Sequence, residues 1–155
     1  MVMDGMEQEV FWLWANRPFV AGLLGWFAAQ TIKLARELIK TRRVDFRYLV
    51  SSGGMPSAHS AMACALATAV GLEEGFDSAL FAVSFAFAGV VMFDAQSVRR
   101  AAGQQARILN QIVDELFQEH HLSRTKLAEL LGHTRVEVFA GLLLGIGMGV
   151  LATVL

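Results

Sequence analysis

The sequence ends in VFAGLLLGIGMGVLATVL, residues 138–155, a stretch without a single charged side chain. Gly141, Gly145 and Gly149 recur in it at every fourth position. In a helix these glycines share one face, where they allow a second backbone to approach closely. Glycine is costly inside a helix that faces water, whereas close packing in lipid uses it. The stretch therefore predicts a packed, lipid-embedded helix.

Three earlier stretches also lack Asp, Glu, Lys and Arg: residues 18–32, 57–72 and 78–93. Each has the length of a helix rather than a strand, although each is slightly shorter than the ~20 residues of an ordinary membrane span. The 155 residues are 55% hydrophobic and 17% charged, which is too apolar for an ordinary soluble domain. We predict a single all-α domain over residues 1–155, an integral-membrane bundle of about four transmembrane helices. The alternative is a soluble bundle with buried helices.

Charge and cysteine content exclude several classes of protein. The net charge of −1 gives no basic excess, so we expect no nucleic-acid partner. The lone cysteine, Cys64, cannot form an internal disulfide. The first residues include Asp4, Glu7 and Glu9 but no Lys or Arg, so we expect no cleaved signal peptide.

The distribution of charge between the apolar stretches predicts the topology. The loop after the first stretch is strongly basic, which places it in the cytoplasm by the positive-inside rule. The connection at residues 73–77, EEGFD, is acidic and fits the opposite side. We predict a multi-pass protein of the cell (inner) membrane, with residues 1–16 as an outer tail. Residues 94–135 then return to the cytoplasmic face. This places two histidine-containing segments, residues 53–60 and 132–137, on the same side of the membrane.

The segment 94–135 contains an amphipathic pattern. Apolar residues recur every three to four positions from Val98 to Phe117, which predicts a helix lying on the membrane face. Its polar positions are basic in the first half and acidic in the second. Ser123 is placed to cap a further short helix that ends near Leu131.

The first histidine motif is GGMPSAHS, residues 53–60, at the junction of a polar loop and an apolar helix. Backbone N–H groups beside Gly54, together with the Ser57 hydroxyl, suit the oxygens of a phosphate. His59 lies in the first helical turn, within reach of the same anion. We expect Pro56 in that first turn too. The alternative is a plain junction with an incidental histidine.

The second motif is GHTRVE, residues 132–137. His133 and Glu137 are four residues apart, which places them on one helix face if His133 begins the helix. The carboxylate can then fix the imidazole tautomer, which leaves the other ring nitrogen able to attack phosphorus. The alternative is a hydrogen bond that anchors the helix. His120 and His121 are adjacent and point apart, and no Cys-rich or Asp-rich cluster adds ligands, so we predict no metal.

Asp94 follows the third apolar stretch and precedes Arg99 and Arg100. Guanidinium groups suit the charge that spreads over the equatorial oxygens in phosphoryl transfer. Binding of lipid head groups is the alternative role.

Three ordered motifs, at residues 53–61, 94–103 and 131–138, resemble the divergent branch of the PAP2 family, related to acid phosphatases and vanadium-dependent haloperoxidases. The resemblance implies a PAP2-like core, His59 as general acid and Ser57 as phosphate ligand. It also implies His133 as the nucleophile that becomes phosphorylated and Glu137 as its orienting carboxylate.

The chain departs from the family pattern at its cations. The Lys-x6-Arg-Pro motif is missing, although Lys33 and Lys40 have its spacing. We expect Lys33, Arg99 and Arg100 to hold the phosphate, with Asp94 and Gly54 beside it. Most membrane members of the family have about six spans. A chain with about four spans is therefore expected to form a homodimer, in which the second copy completes the bundle.

The resemblance implies a metal-independent, cofactor-free lipid phosphate phosphatase acting through phosphohistidine at the cytoplasmic face. Phosphatidylglycerophosphate is one candidate substrate, and isoprenyl diphosphates and phosphatidate are others. The rival function is a non-catalytic membrane protein that binds phospholipid head groups or scaffolds partners. Vanadate-dependent halide oxidation is a third.

Overall fold

A computed structural model of the chain describes residues 11–42, 54–116 and 134–155. All regular structure in these ranges is helical, which confirms the all-α prediction. After a helical stretch at residues 11–15 there are five helices: α1 (Arg17–Thr41), α2 (Ala58–Glu74), α3 (Ala79–Gln96), α4 (Val98–Leu116) and α5 (Arg135–Val154).

Helix α2 is the centre of the fold, because α1, α3 and α5 all pack against it. Its buried residues are small on every side, consisting of alanine, serine, cysteine, valine and glycine. Small side chains permit several helix backbones to come close at once. The apolar character of α2 therefore reflects burial by three neighbours.

The glycines of α5 face α2, as the spacing predicts. A Cβ atom added at Gly145 would lie 2.5 Å from the carbonyl oxygen of Ala61, and one added at Gly141 would lie 2.5 Å from that of Ser57. From the other side, a Cβ atom on Gly25 of α1 would lie 2.7 Å from the Ala61 oxygen. The backbones of α1 and α5 thus contact α2 directly on two sides of Ala61.

Helix α1 extends well past its apolar stretch. We expected residues 33–41, KLARELIKT, to belong to a loop, and the structure shows them as two further turns of helix. The segment contains no glycine or proline and is rich in residues that favour helices. The helix ends at Arg42, whose backbone has φ 53° and whose N–H donates to the Leu38 carbonyl at 2.8 Å.

Two helix starts differ from the predicted ones. Helix α2 begins at Ala58 with Ser57 as its N-cap, so Pro56 precedes the cap and lies outside the first turn. Helix α5 begins at Arg135 with Thr134 as its N-cap. The expectation that His133 begins this helix is wrong. The N-cap residue, Thr134, has an extended backbone with ψ 157°, so the helix does not continue back past it. His133 itself lies outside the described residues.

Helix α4 confirms the predicted amphipathic helix over most of its length. Among the described helices it packs against α3 alone. Its apolar side is open to the surroundings, with five exposed large side chains: Val98, Ile108, Leu109, Ile112 and Val113. The short helix expected after Ser123 lies outside the described residues.

Two helical segments in the described ranges are long and apolar enough to cross a membrane. One is the run Ala79–Val113, which includes α3, and the other is Arg135–Val154, which is α5. Large apolar side chains on both remain exposed: Leu80, Val83, Phe87, Val90, Phe139, Leu143, Ile146 and Val150. Helix α2, with 17 residues, is shorter than an ordinary span.

Candidate functional site

A cleft of about 650 Å³ lies where the end of α1 meets the start of α5 and the turn before α2. Its walls carry three cations, two carboxylates and several apolar groups: Lys33, Arg36, Glu37, Ile39, Lys40, Gly54, Met55, Thr134, Val136 and Glu137. Three of the residues expected at the site, Lys33, Gly54 and Glu137, are therefore brought together.

Backbone contacts join the two histidine motifs beside this cleft. The Ser57 N–H donates to the Glu137 carbonyl oxygen at 2.9 Å. The Arg36 guanidinium donates to the Met55 carbonyl oxygen at 3.0 Å, which ties the 54–56 turn to α1. The described parts of both motifs thus meet at one end of the bundle. Gly54 has φ 89°, a backbone conformation that favours glycine.

Ser57 has a different place from the one expected. Its side chain is fully buried, and its Oγ accepts from the Ser60 N–H at 3.4 Å and from the Ser60 hydroxyl at 3.1 Å. It caps α2 and does not line the cleft. His59 is half-buried in the first turn of the same helix.

Glu137 completes a capping box at the start of α5. Its Oε2 accepts from the Thr134 N–H at 2.9 Å, and the Glu137 N–H donates to Thr134 Oγ1 at 3.3 Å. This reciprocal pair satisfies two N–H groups that a helix start would otherwise expose. A carboxylate can accept several hydrogen bonds, so the cap is compatible with a contact to an imidazole. The expected contact with His133 stays a prediction.

Lys33 is the most deeply placed cation of the cleft, with only 5% of its surface exposed. It follows directly after the apolar stretch 18–32. Desolvation lowers the pKa of the Lys33 ammonium, and the negative charge of Glu137 partly opposes this. In the part of the chain that the structure describes, Lys33 forms no ion pair within 4 Å. A buried ammonium in this state favours a bound anion.

Replacing Lys33 with methionine is expected to weaken the binding of vanadate, an analogue of phosphate in transfer reactions, by about tenfold or more. The same change at Lys40, which is exposed, should cost less because water screens its charge. Because the pKa of Lys33 is lowered, wild-type affinity should fall as pH rises through a value below 10.5. The Lys33→Met protein should lack that decline. Titration of purified protein with vanadate from neutral to alkaline pH measures both effects, and equal losses in the two variants would contradict them.

Arg36 and Glu37 were not predicted from the sequence. Together with Lys33 and Lys40 they repeat at i, i+3, i+4 and i+7, the spacing of one helix face, and this signal is visible once α1 is extended.

Among the remaining expected residues, Asp94 is half-buried near the end of α3 and does not line the cleft. The side chains of Arg99 and Arg100 lie outside the described part, as does His133. Among the described side chains no group of three or more His, Cys, Asp or Glu is arranged to hold a metal ion. Metal independence stays a prediction.

The described residues form an all-helical bundle with a cationic cleft and two apolar helices long enough to cross a membrane. These are general features of a helical membrane protein. The model of the divergent PAP2 family matches residues 14–148, and the chain belongs to that family. The resemblance carried by the three motifs is thereby confirmed. The chain is also similar to the uncharacterized membrane protein YuiD of Bacillus subtilis (strain 168), at 43% identity over 145 residues. This match covers 86% of the chain and 92% of YuiD. No solved structure matches the chain.

Proposed function

We propose that this protein is a metal-independent lipid phosphate phosphatase, a phosphoric monoester hydrolase. The observation that supports it most is the cleft in which Lys33, Arg36 and Lys40 face Gly54 and Glu137. None of these three cations forms an ion pair with another described residue, so their charge is available to a ligand. The two motif segments that border the cleft are the ones that supply His59 and, directly before Thr134, His133.

In the proposed arrangement the chain is a multi-pass protein of the cell (inner) membrane. The four apolar stretches 18–32, 57–72, 78–93 and 138–155 cross it, and the cleft opens to the cytoplasm. The exposed apolar side chains of α3 and α5 support lipid contact, as does the likeness to a membrane protein. Helix α4 lies on the inner surface with its apolar side in the lipid. A second copy covers part of the exposed apolar surface in a homodimer.

The proposed reaction has two steps. A ring nitrogen of His133 attacks phosphorus in line with the ester oxygen, the phosphorus–oxygen bond breaks, and protonated His59 gives its proton to the leaving oxygen. Water then attacks the phosphohistidine, with neutral His59 taking a proton from it, which releases phosphate and restores both imidazoles. Glu137 holds His133 in the tautomer whose free nitrogen faces phosphorus.

The phosphate is held by cations in this scheme. Lys33 contributes the least solvated charge, and Arg36 and Lys40 enlarge the clamp beyond the residues expected from the sequence. Arg99 and Arg100 of α4 remain proposed members, together with Asp94. Gly54 contributes backbone groups to the phosphate site. Ser57 does not line the cleft, and its role is to cap the start of α2.

The substrate is proposed to be a phosphomonoester of a membrane lipid. Ile39, Met55 and Val136 line the cleft beside the cations, so the walls offer apolar contacts to the part of a lipid next to its phosphate. Phosphatidylglycerophosphate and phosphatidate meet this description. Isoprenyl diphosphates, in which the bond to be cleaved is a phosphoanhydride, are the third candidate. Phosphatidylglycerophosphate fits a site that faces the cytoplasm, on the side where that lipid is made.

The test is phosphate release by detergent-purified protein from these three lipids, with and without EDTA. We expect release from at least one lipid and no loss of rate with EDTA. Inactivation by EDTA would contradict the metal-free mechanism. Absence of turnover with every lipid, combined with the absence of vanadate binding that depends on His133, would instead favour the rival function, a non-catalytic protein that binds phospholipid head groups.

A further inference from the structure

A second groove lies at the opposite end of the bundle from the cleft. It measures about 420 Å³ and is formed by the start of α1, the end of α2 and the start of α3. Its polar lining includes Arg17, Glu73 and Glu74, and its apolar lining includes Phe19, Val70 and Leu80. One cation and two carboxylates therefore stand beside an apolar surface.

The charges in this groove are only partly paired. Arg17 Nε lies 3.8 Å from Glu73 Oε1, and Arg17 Nη1 donates to the Thr153 carbonyl oxygen at 3.4 Å. Both contacts are long, and a guanidinium has five N–H donors, so Arg17 keeps capacity for an anion. Glu74 is exposed and forms no ion pair within the described ranges.

Aromatic residues next to the groove indicate its depth in a membrane. Trp12 and Trp14, in the helical residues 11–15, are 59% and 60% exposed. Tryptophan concentrates at the boundary between lipid and water, where its ring is in lipid and its N–H is near water. In the proposed membrane arrangement the groove is therefore at head-group level, opposite the end that holds the cleft.

We propose that this groove binds the head group of a zwitterionic phospholipid that carries a primary ammonium. The phosphodiester contacts Arg17, the ammonium contacts Glu73 and Glu74, and the first part of the acyl region packs on Phe19 and Val70. The two carboxylates disfavour lipids whose head group has only negative charge. A quaternary ammonium cannot donate hydrogen bonds, so a choline lipid forms weaker contacts with the same carboxylates. This inference rests on the membrane arrangement of the proposed function and is independent of catalysis.

Native mass spectrometry of the detergent-purified protein tests it, with phosphatidylethanolamine, phosphatidylcholine and phosphatidylglycerol of identical acyl chains. We expect the ethanolamine lipid to be retained about fivefold more than either of the others. Glu74→Gln should remove most of that preference, whereas Asp77→Asn, at an exposed residue outside the groove, should leave it intact. Arg17→Gln should weaken the binding of all three.

Two results would overturn the inference: equal retention of the three lipids by the wild-type protein, or an unchanged preference in Glu74→Gln. Glu74 is exposed and has no ion pair to lose among the described residues, so its variant is expected to fold even if Arg17→Gln does not. Phosphate release is measured in parallel. Turnover without lipid preference counts against this groove alone, and lipid preference without turnover counts against the phosphatase alone.

Discussion

Replacing His133 with alanine is expected to lower kcat/KM for the lipid phosphate by about three orders of magnitude or more. The reason is that a phosphohistidine cannot form without the imidazole, and loss of a nucleophile removes the first bond-forming step. Steady-state phosphate release measures the effect. His120→Ala is the matched control, because His120 belongs to neither motif, and it should retain the wild-type rate. Full activity in His133→Ala would refute the role of this residue.

The companion change His59→Ala separates general acid from nucleophile. Loss of a general acid costs about 10²–10⁴-fold with an alkyl phosphate, whose leaving oxygen needs a proton. An aryl phosphate with an acidic phenol needs little help in the first step, so the loss of kcat/KM, which reports that step, should be much smaller with this substrate. His133→Ala should lose kcat/KM equally with both substrates, and equal losses of kcat/KM in His59→Ala would contradict the acid role.

Replacing Gly145 with alanine is expected to lower the stability of the fold. The new methyl group would lie 2.5 Å from the Ala61 carbonyl oxygen and 2.8 Å from Cys64 Cβ, so α5 and α2 would have to separate. Overpacking of this kind costs about 1–3 kcal/mol. Thermal unfolding in detergent measures it as a lowered Tm.

Gly147→Ala makes the same chemical change two residues away on α5. Nothing lies within 4 Å of the position that its new methyl group would occupy. Alanine there should stabilise by about 0.5–1 kcal/mol, because glycine loses more conformational freedom in a helix. Opposite shifts in Tm are therefore expected from two Gly→Ala changes on one helix. Shifts of the same sign would show that the α2–α5 contact is not packed as described.

Two parts of the fold follow directly from patterns in the sequence. The glycines of residues 138–155 predicted a close helix contact, and the period of residues 98–116 predicted an amphipathic helix. The end of α1 could not be predicted by the same reasoning. Residues 33–41 contain four charged side chains, so the apolar stretch ends at Ile32, although helix propensity alone allows two more turns.

The site residues could be predicted where the sequence carries a family motif or keeps the spacing of one. Lys33, Gly54 and Glu137 were expected and are brought together, while Arg36 and Glu37 depend on the extension of α1. The buried position of Ser57 could not be foreseen, because a serine before a helix serves equally as a cap or as a phosphate ligand. The Thr134–Glu137 capping box is a signature visible in the sequence, and it explains why α5 begins after His133.

The most direct test of the phosphatase account is to trap the phosphoenzyme. Purified protein would be mixed with a lipid carrying a ³²P-labelled terminal phosphate, denatured within one turnover, and digested at alkaline pH, where phosphohistidine survives. The label is expected on the peptide that contains His133, and it should be lost on mild acid treatment. His133→Ala should carry none, and His59→Ala should accumulate label when an aryl phosphate is the donor. Turnover without labelling of the wild-type protein, or a label that persists in His133→Ala, would contradict the account.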